Sequence, residues 1–245
     1  MSRELGSACL EQRRGEGGAL WGIGWHSARG AQRERNEDRC RVAHGVVAGC
    51  ISDGIDGHPA GSVYAEYISW EVVRNIACGF ELPEAVFRAS QRSSSVAEVL
   101  DLEASGMMIA CAACDDNGNM RAARVGNTRV VSVVPGHGVQ DVFARPDGAS
   151  ASGRASRPRV CRDYSLIEEV QLTLLPGSAL VLMTDGAALY PPQEAVAEAA
   201  TYAATCPVFG PRNQRAENAA RTIVRAAQLH GSPDDATALV IARIA

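Results

Sequence analysis

The chain contains no lysine; all 24 of its cationic side chains are arginine. A P-loop, whose lysine reaches the terminal phosphates of a nucleotide, is thereby excluded, and so is Schiff-base chemistry. No apolar run approaches the roughly 18 residues that a membrane-spanning helix needs. The first twenty residues carry charges where an export signal would carry its apolar stretch, so a cytoplasmic location without a membrane partner is expected. A cationic excess is missing too. With a net charge of -4 and a pI of about 5.8, the chain has no global attraction for nucleic acid, and an anionic substrate would have to be held by a local site.

Several specific chemistries are absent as well. The histidines His26, His44, His58, His137 and His230 show no metal-helix spacing. Eight cysteines in a chain without an export signal are expected as reduced thiols rather than a disulfide framework. Cys111 and Cys114 have C-x-x-C spacing, but they lie in the apolar run Met107 to Cys114, which reads as a strand. Side chains three apart on a strand face opposite ways, so a core role is expected and not a zinc or redox pair. Gly22-Ile23-Gly24 is no dinucleotide fingerprint, because Ser27 stands where the third glycine of G-x-G-x-x-G belongs. No internal repeat is found.

What is present is ordinary globular material. A hydrophobic share of 46% and a charged share of 21% fit a soluble, core-forming chain, and 245 residues suit one domain. Residues 1–18 are polar and glycine-rich, a flexible lead-in to a domain expected over 19–245. Short β-type runs follow at Leu20 to His26, Arg39 to Ala43 and Val46 to Ile51. Helical spacing of Val63, Tyr67, Trp70, Val73 and Ile76 predicts a helix from Ala60 to Cys78, and a second opens at Pro83 and runs to about Leu102. Strands are then expected at Met107 to Cys114, Met120 to Val125 and Arg129 to Val134, joined by turn residues in a meander. A segment from about 145 to 163, rich in Gly, Ser, Pro and Arg, reads as a mobile, flap-like surface loop. Strands resume at Ile167 to Leu174 and Ser178 to Met183. Helices are expected at Pro192 to Ala204 and Gln214 to Leu229, and a last strand at Thr237 to Ile244. Two strand groups, each followed by a helix pair, predict an α+β fold. It would be a four-layer α-β-β-α sandwich with two antiparallel sheets face to face and the helices outside.

Four acids fall at the ends of these strands. Asp53 and Asp185 close β-runs, while Glu37 and Asp234 stand just before β-runs. In antiparallel sheets the end of one strand lies beside the start of its neighbour, so the four can converge on one edge. Clustered carboxylates repel and are costly to bury, and a hard divalent cation with oxygen ligands resolves that conflict. Mg²⁺ or Mn²⁺ suits this ligand set. Each acid taken singly also suits a plain turn, since D-G is a common turn dipeptide.

The local sequences around these acids carry a resemblance. Arg33-Glu34-Arg35-Asn36-Glu37-Asp38 is similar to R-x-x-N-E-D, and Asp53-Gly54-Ile55-Asp56-Gly57-His58 to D-G-x-G-G-H. Gly126-Asn127-Thr128-Arg129 resembles G-D-S-R, Thr184-Asp185-Gly186 resembles S-D-G, and Asp234-Asp235-Ala236-Thr237 resembles D-N-x-T. In this order, and spanning Gly22 to Ile244, they resemble the bacterial type of the PPM, or type 2C, metal-dependent serine/threonine protein phosphatases. The resemblance implies two Mn²⁺ or Mg²⁺ ions: Asp53 would bridge both, Asp185 and Asp234 would complete one site, and Glu37 with the Gly54 carbonyl the other. Arg33 would grip the substrate phosphate, Asp38 would act through a bound water, and the two metals would activate water against the phosphoester. Phosphoserine and phosphothreonine proteins, those of a cognate Ser/Thr kinase, are the implied partners.

The departures are specific. Asn127 stands where the family has an aspartate associated with a third metal, so that site is expected to be missing or altered. Asp56 replaces a loop glycine, and Met107-Met108 replace small hydroxylated residues. His58 is expected to be structural. Two further readings stay open: a PPM-fold binding module with weak or no turnover, and a two-metal phosphoesterase of small molecules.

Overall fold

A computed structural model describes residues 20–54, 61–99, 107–143, 164–206 and 211–245. The expected lead-in over 1–18, the flap over 145–163, and Asp56 and His58 lie outside the described residues. The chain runs β1 (Trp21–Ala28), β2 (Arg39–Val42), β3 (Val47–Gly54), α1 (Gly61–Ala77), α2 (Leu82–Val99), β4 (Met107–Cys114), β5 (Asn119–Val125), β6 (Arg129–Val134) and β7 (Gly138–Asp141). After a 3-10 turn at Tyr164–Leu166 come β8 (Glu168–Thr173), β9 (Ala179–Met183), α3 (Asp185–Ala188), α4 (Gln193–Thr205), α5 (Arg212–Leu229) and β10 (Ala236–Arg243).

Among the described residues the strands form two antiparallel five-stranded sheets, ordered β1-β10-β9-β6-β7 and β2-β3-β4-β5-β8. The period of two along each strand decides the layering. In β9, Leu180 and Leu182 face the space between the sheets, while Ala179, Val181 and Met183 face α4 and α5. In β10, Leu239 and Ile241 join the inter-sheet core, and Ala238, Val240 and Ala242 join the helical side. On the other sheet, Ile109 and Cys111 pack under α1 and α2 with Ile68, Val72, Leu82 and Val86. The result is the α-β-β-α sandwich expected from the sequence. Cys111 faces those helices while Cys114 packs on the inter-sheet core, so the C-x-x-C pair is split across the sheet.

Small residues let the helices lie close. Ala216, Ala219 and Ala220 of α5 are buried against the first sheet. A Cβ at Gly24 would overlap the main chain of Glu217, and one at Gly22 would come within 2.8 Å of the Arg212 carbonyl oxygen. The Gly22-Ile23-Gly24 run is therefore a seat for α5.

Candidate metal centre

Both sheets deliver acids to one end of the sandwich. From the second sheet, Asp53 lies near the end of β3, one residue past Ser52, which faces Arg39 at the start of β2; Glu37 and Asp38 precede that strand. From the first sheet, Asp185 opens α3 just past β9, and Asp234 and Asp235 precede β10, whose Ala238 faces Met183. The Thr184 amide donates to the Thr237 carbonyl at 3.1 Å and continues that pairing to the acids themselves.

A hydroxyl and carboxyl network ties the two sheets beneath this end. The Thr184 hydroxyl donates to Asp38 Oδ2 at 2.8 Å and accepts from the Thr237 amide at 3.0 Å. Thr237 and Ser27 share a hydroxyl hydrogen bond of 2.7 Å, and Asn36 Nδ2 donates to the Ser27 hydroxyl at 2.8 Å. Asn36 Oδ1 in turn accepts from the Asp38 amide at 3.0 Å. Asn36 and Asp38 thus brace the segment around Glu37, and Asp38 is itself buried.

The glycines beside the acids permit close approach. A Cβ at Gly186 would overlap the Asp235 carbonyl and stand 3.3 Å from Asp234 Cβ, so the main chain after Asp185 presses on the Asp234–Asp235 turn. A Cβ at Gly54 would lie 2.8 Å from the Gly61 carbonyl oxygen and 3.1 Å from that of Glu37. Gly126, at φ +89°, turns the chain from β5 toward β6, where a side chain would meet Met108.

The charges repel. Burial above all pushes the Asp53 carboxyl well above its usual range, and Asp38, Asp185, Asp234 and Asp235 add to the push. Burial raises Asp38 to about 7, against the hydrogen bonds from Thr184 and Thr237. Asp185 is raised by burial and then by Asp234, partly offset by a hydrogen bond from Asn127. Arg33 is the counter-charge: its Nε and Nη2 lie 2.7 Å and 2.6 Å from Asp234 Oδ1. Asn127 Nδ2 donates to Asp185 Oδ2 at 3.0 Å.

The donors fit a hard divalent cation. They are all oxygens, one of them the buried Oε2 of Glu37, and they repel one another in its absence. Among the described residues no three acidic, histidine or cysteine side chains stand grouped closely enough to hold a metal ion. Asp234 is held by Arg33 and Asp185 by Asn127. Of the acids singled out in the sequence, Glu37, Asp38, Asp53, Asp185 and Asp234 all reach this end of the molecule. Asp235 and the two threonines, Thr184 and Thr237, stand in the quoted motifs, but the sequence assigns them no role. Their partners are main-chain amides, hydroxyls and the Asp38 carboxylate, all far away in sequence, which leave no spacing to read.

No protein-family model matches the chain, and no curated protein matches it. Solved structures do. PppA of Pseudomonas aeruginosa, described as a key regulatory component of T6SS, aligns with a TM-score of 0.72 at 19% identity over 92% of this chain and 98% of its own. The catalytic domain of the serine/threonine phosphatase PstP, in complex with two manganese ions, aligns at 0.72 and 18% identity over 92% and 99%. MsPP of Mycobacterium smegmatis, a PPM Ser-Thr phosphatase in complex with cacodylate, aligns at 0.68 and 19% over 92% and 99%. The fold is that of the bacterial PPM-type serine/threonine phosphatases.

Proposed function

We propose that this chain is a PPM-family phosphatase that hydrolyses phosphoserine and phosphothreonine in proteins, with Glu37, Asp53, Gly54, Asp185 and Asp234 holding two Mn²⁺ or Mg²⁺ ions. The observation that carries the reading is the meeting of acids from both sheets at one end of the sandwich, where each raises the cost of its neighbour's charge. When bound, a divalent pair supplies a water that ionises near neutral pH and positive charge for the phosphoryl oxygens.

The chain's own groups have separable tasks. Asp53, Asp185 and Asp234 would hold one ion, and Asp53 with Glu37 and the Gly54 carbonyl would hold the other. Arg33 offers a planar fork for a phosphate dianion, exchanging its bond to Asp234 for bonds to substrate oxygens. Asp38, fixed by Thr184, would act through a bound water. The serine/threonine phosphatases among the structural neighbours support protein substrates over small molecules; a cognate kinase that supplies the phosphate is part of the proposal.

A second reading has its own support. The engagement of Asp185 by Asn127 and of Asp234 by Arg33 suits a PPM-fold binding module that does not turn over. Hydrolysis of an aryl phosphate and of a phosphothreonine peptide, with and without Mn²⁺ or Mg²⁺, separates the two. Metal-dependent turnover that is lost in Asp53→Asn, in a protein that stays folded, is the expected outcome. No turnover by the wild type at any metal concentration would leave the binding module standing.

A further inference from the structure

Asp235 is 4% exposed, and its two carboxylate oxygens are spent on two main-chain amides of a distant segment. Oδ1 accepts from the Gly30 amide at 2.8 Å, and Oδ2 accepts from the Glu37 amide at 2.7 Å. The stretch between those amides carries Arg33, Asn36 and Glu37 from the first sheet to the second. It is drawn onto the turn before β10 from end to end: the Gln32 amide donates to the Pro233 carbonyl at 3.2 Å. Gly30 has no room for a side chain there, since a Cβ would overlap the main chain of Pro233 and Asp234. The neighbouring Asp234 takes Arg33 from the same stretch.

We infer that Asp235 is a positioning residue which holds Glu37 and Arg33 against Asp234, and that the task requires a carboxylate. A carboxylate accepts at both oxygens, whereas an amide accepts at one and donates at the other. Asparagine at 235 would therefore turn an NH₂ group toward either the Gly30 or the Glu37 amide. Two donors facing each other in a buried place push the segment away. An acid here also adds charge beside Asp53 and Asp38, a cost that an asparagine would avoid and that the paired amide bonds offset.

The inference rests on Glu37 being a metal ligand, and its test does not use turnover. Mn²⁺ is titrated calorimetrically into the wild type and into Asp235→Asn, both checked as folded by circular dichroism. Groups that orient metal ligands typically contribute about 10–100-fold to affinity, so Asp235→Asn should bind Mn²⁺ at least about tenfold more weakly. A residue that only stabilised the fold would lower the melting temperature and leave the affinity of the folded protein alone. Affinities within about twofold, with normal binding by the wild type, would overturn the positioning role and leave the proposed function intact. Absence of Mn²⁺ binding by the wild type would overturn both. Hydrogen exchange in the wild type keeps the clamp testable even if the variant does not fold. The Gly30 and Glu37 amides should exchange at least about a hundredfold more slowly than an unstructured peptide, and free exchange at either would refute the clamp.

Discussion

At the scale of single residues, the acids differ from their neighbours in what already holds them. Asp234 Oδ1 takes two donors from Arg33 and a third from the Asp235 amide at 2.7 Å. If Arg33 passes to the substrate phosphate, Arg33→Ala removes a charged hydrogen bond of ~1.5 kcal/mol or more. KM for a phosphopeptide should then rise by about tenfold with kcat changed far less, as steady-state kinetics would report. An unchanged KM would confine Arg33 to its ion pair with Asp234. Asn127 is the second telling residue, because its amide donates where a carboxylate would face Asp185 Oδ2. Asn127→Asp replaces that donor by a repelling acid unless a cation lies between the two. The variant should gain activity on a phosphopeptide more than on an aryl ester, with the gain growing as Mn²⁺ rises. Superimposable Mn²⁺ titrations for the two proteins would mean that position 127 does not govern a further metal.

At the scale of elements, close approach of helix and sheet is the feature most exposed to single changes. Gly24→Ala would drive a methyl group into the main chain of Glu217, and α5 cannot yield without lifting its buried alanines from the sheet. Overpacking of this kind costs about 1–3 kcal/mol, so the melting temperature should fall by several degrees, on the order of 2–4 °C per kcal/mol in a domain of this size. A melting curve unchanged by Gly24→Ala would contradict the seat assigned to this glycine. Sequence patterns located the long elements well, because β9 and β10 alternate between two apolar faces and α1 repeats its apolar residues at helical spacing. Two elements escaped. The strand β7 has four residues, with Val139 its single apolar side chain, and α3 is a single turn, too short for periodicity to show. The glycines of β1 were read only as a failed nucleotide fingerprint, since the helix that needs them begins at Arg212.

At the scale of the whole molecule, the candidate centre exists because two sheets end together. Glu37 and Asp53 reach it from one sheet, Asp185 and Asp234 from the other, and the Thr184 to Asp38 bond crosses between them. The acids were legible as residues at strand ends, and the sandwich that carries those ends was legible from the strand groups and helix pairs; the bacterial PPM-type fold of the solved structures agrees with that sandwich. What bound them into one site was not legible: Asp235 meets Glu37 across 198 positions of sequence, through an amide that every residue but proline has. The central claim is that this meeting of four acids holds a pair of divalent cations. Anomalous diffraction from crystals grown with Mn²⁺ tests it most directly. Two manganese peaks flanking the Asp53 carboxylate are predicted, one toward Asp185 and Asp234 and the other toward Glu37 and the Gly54 carbonyl. Crystals that diffract well and show no manganese between these residues would contradict it.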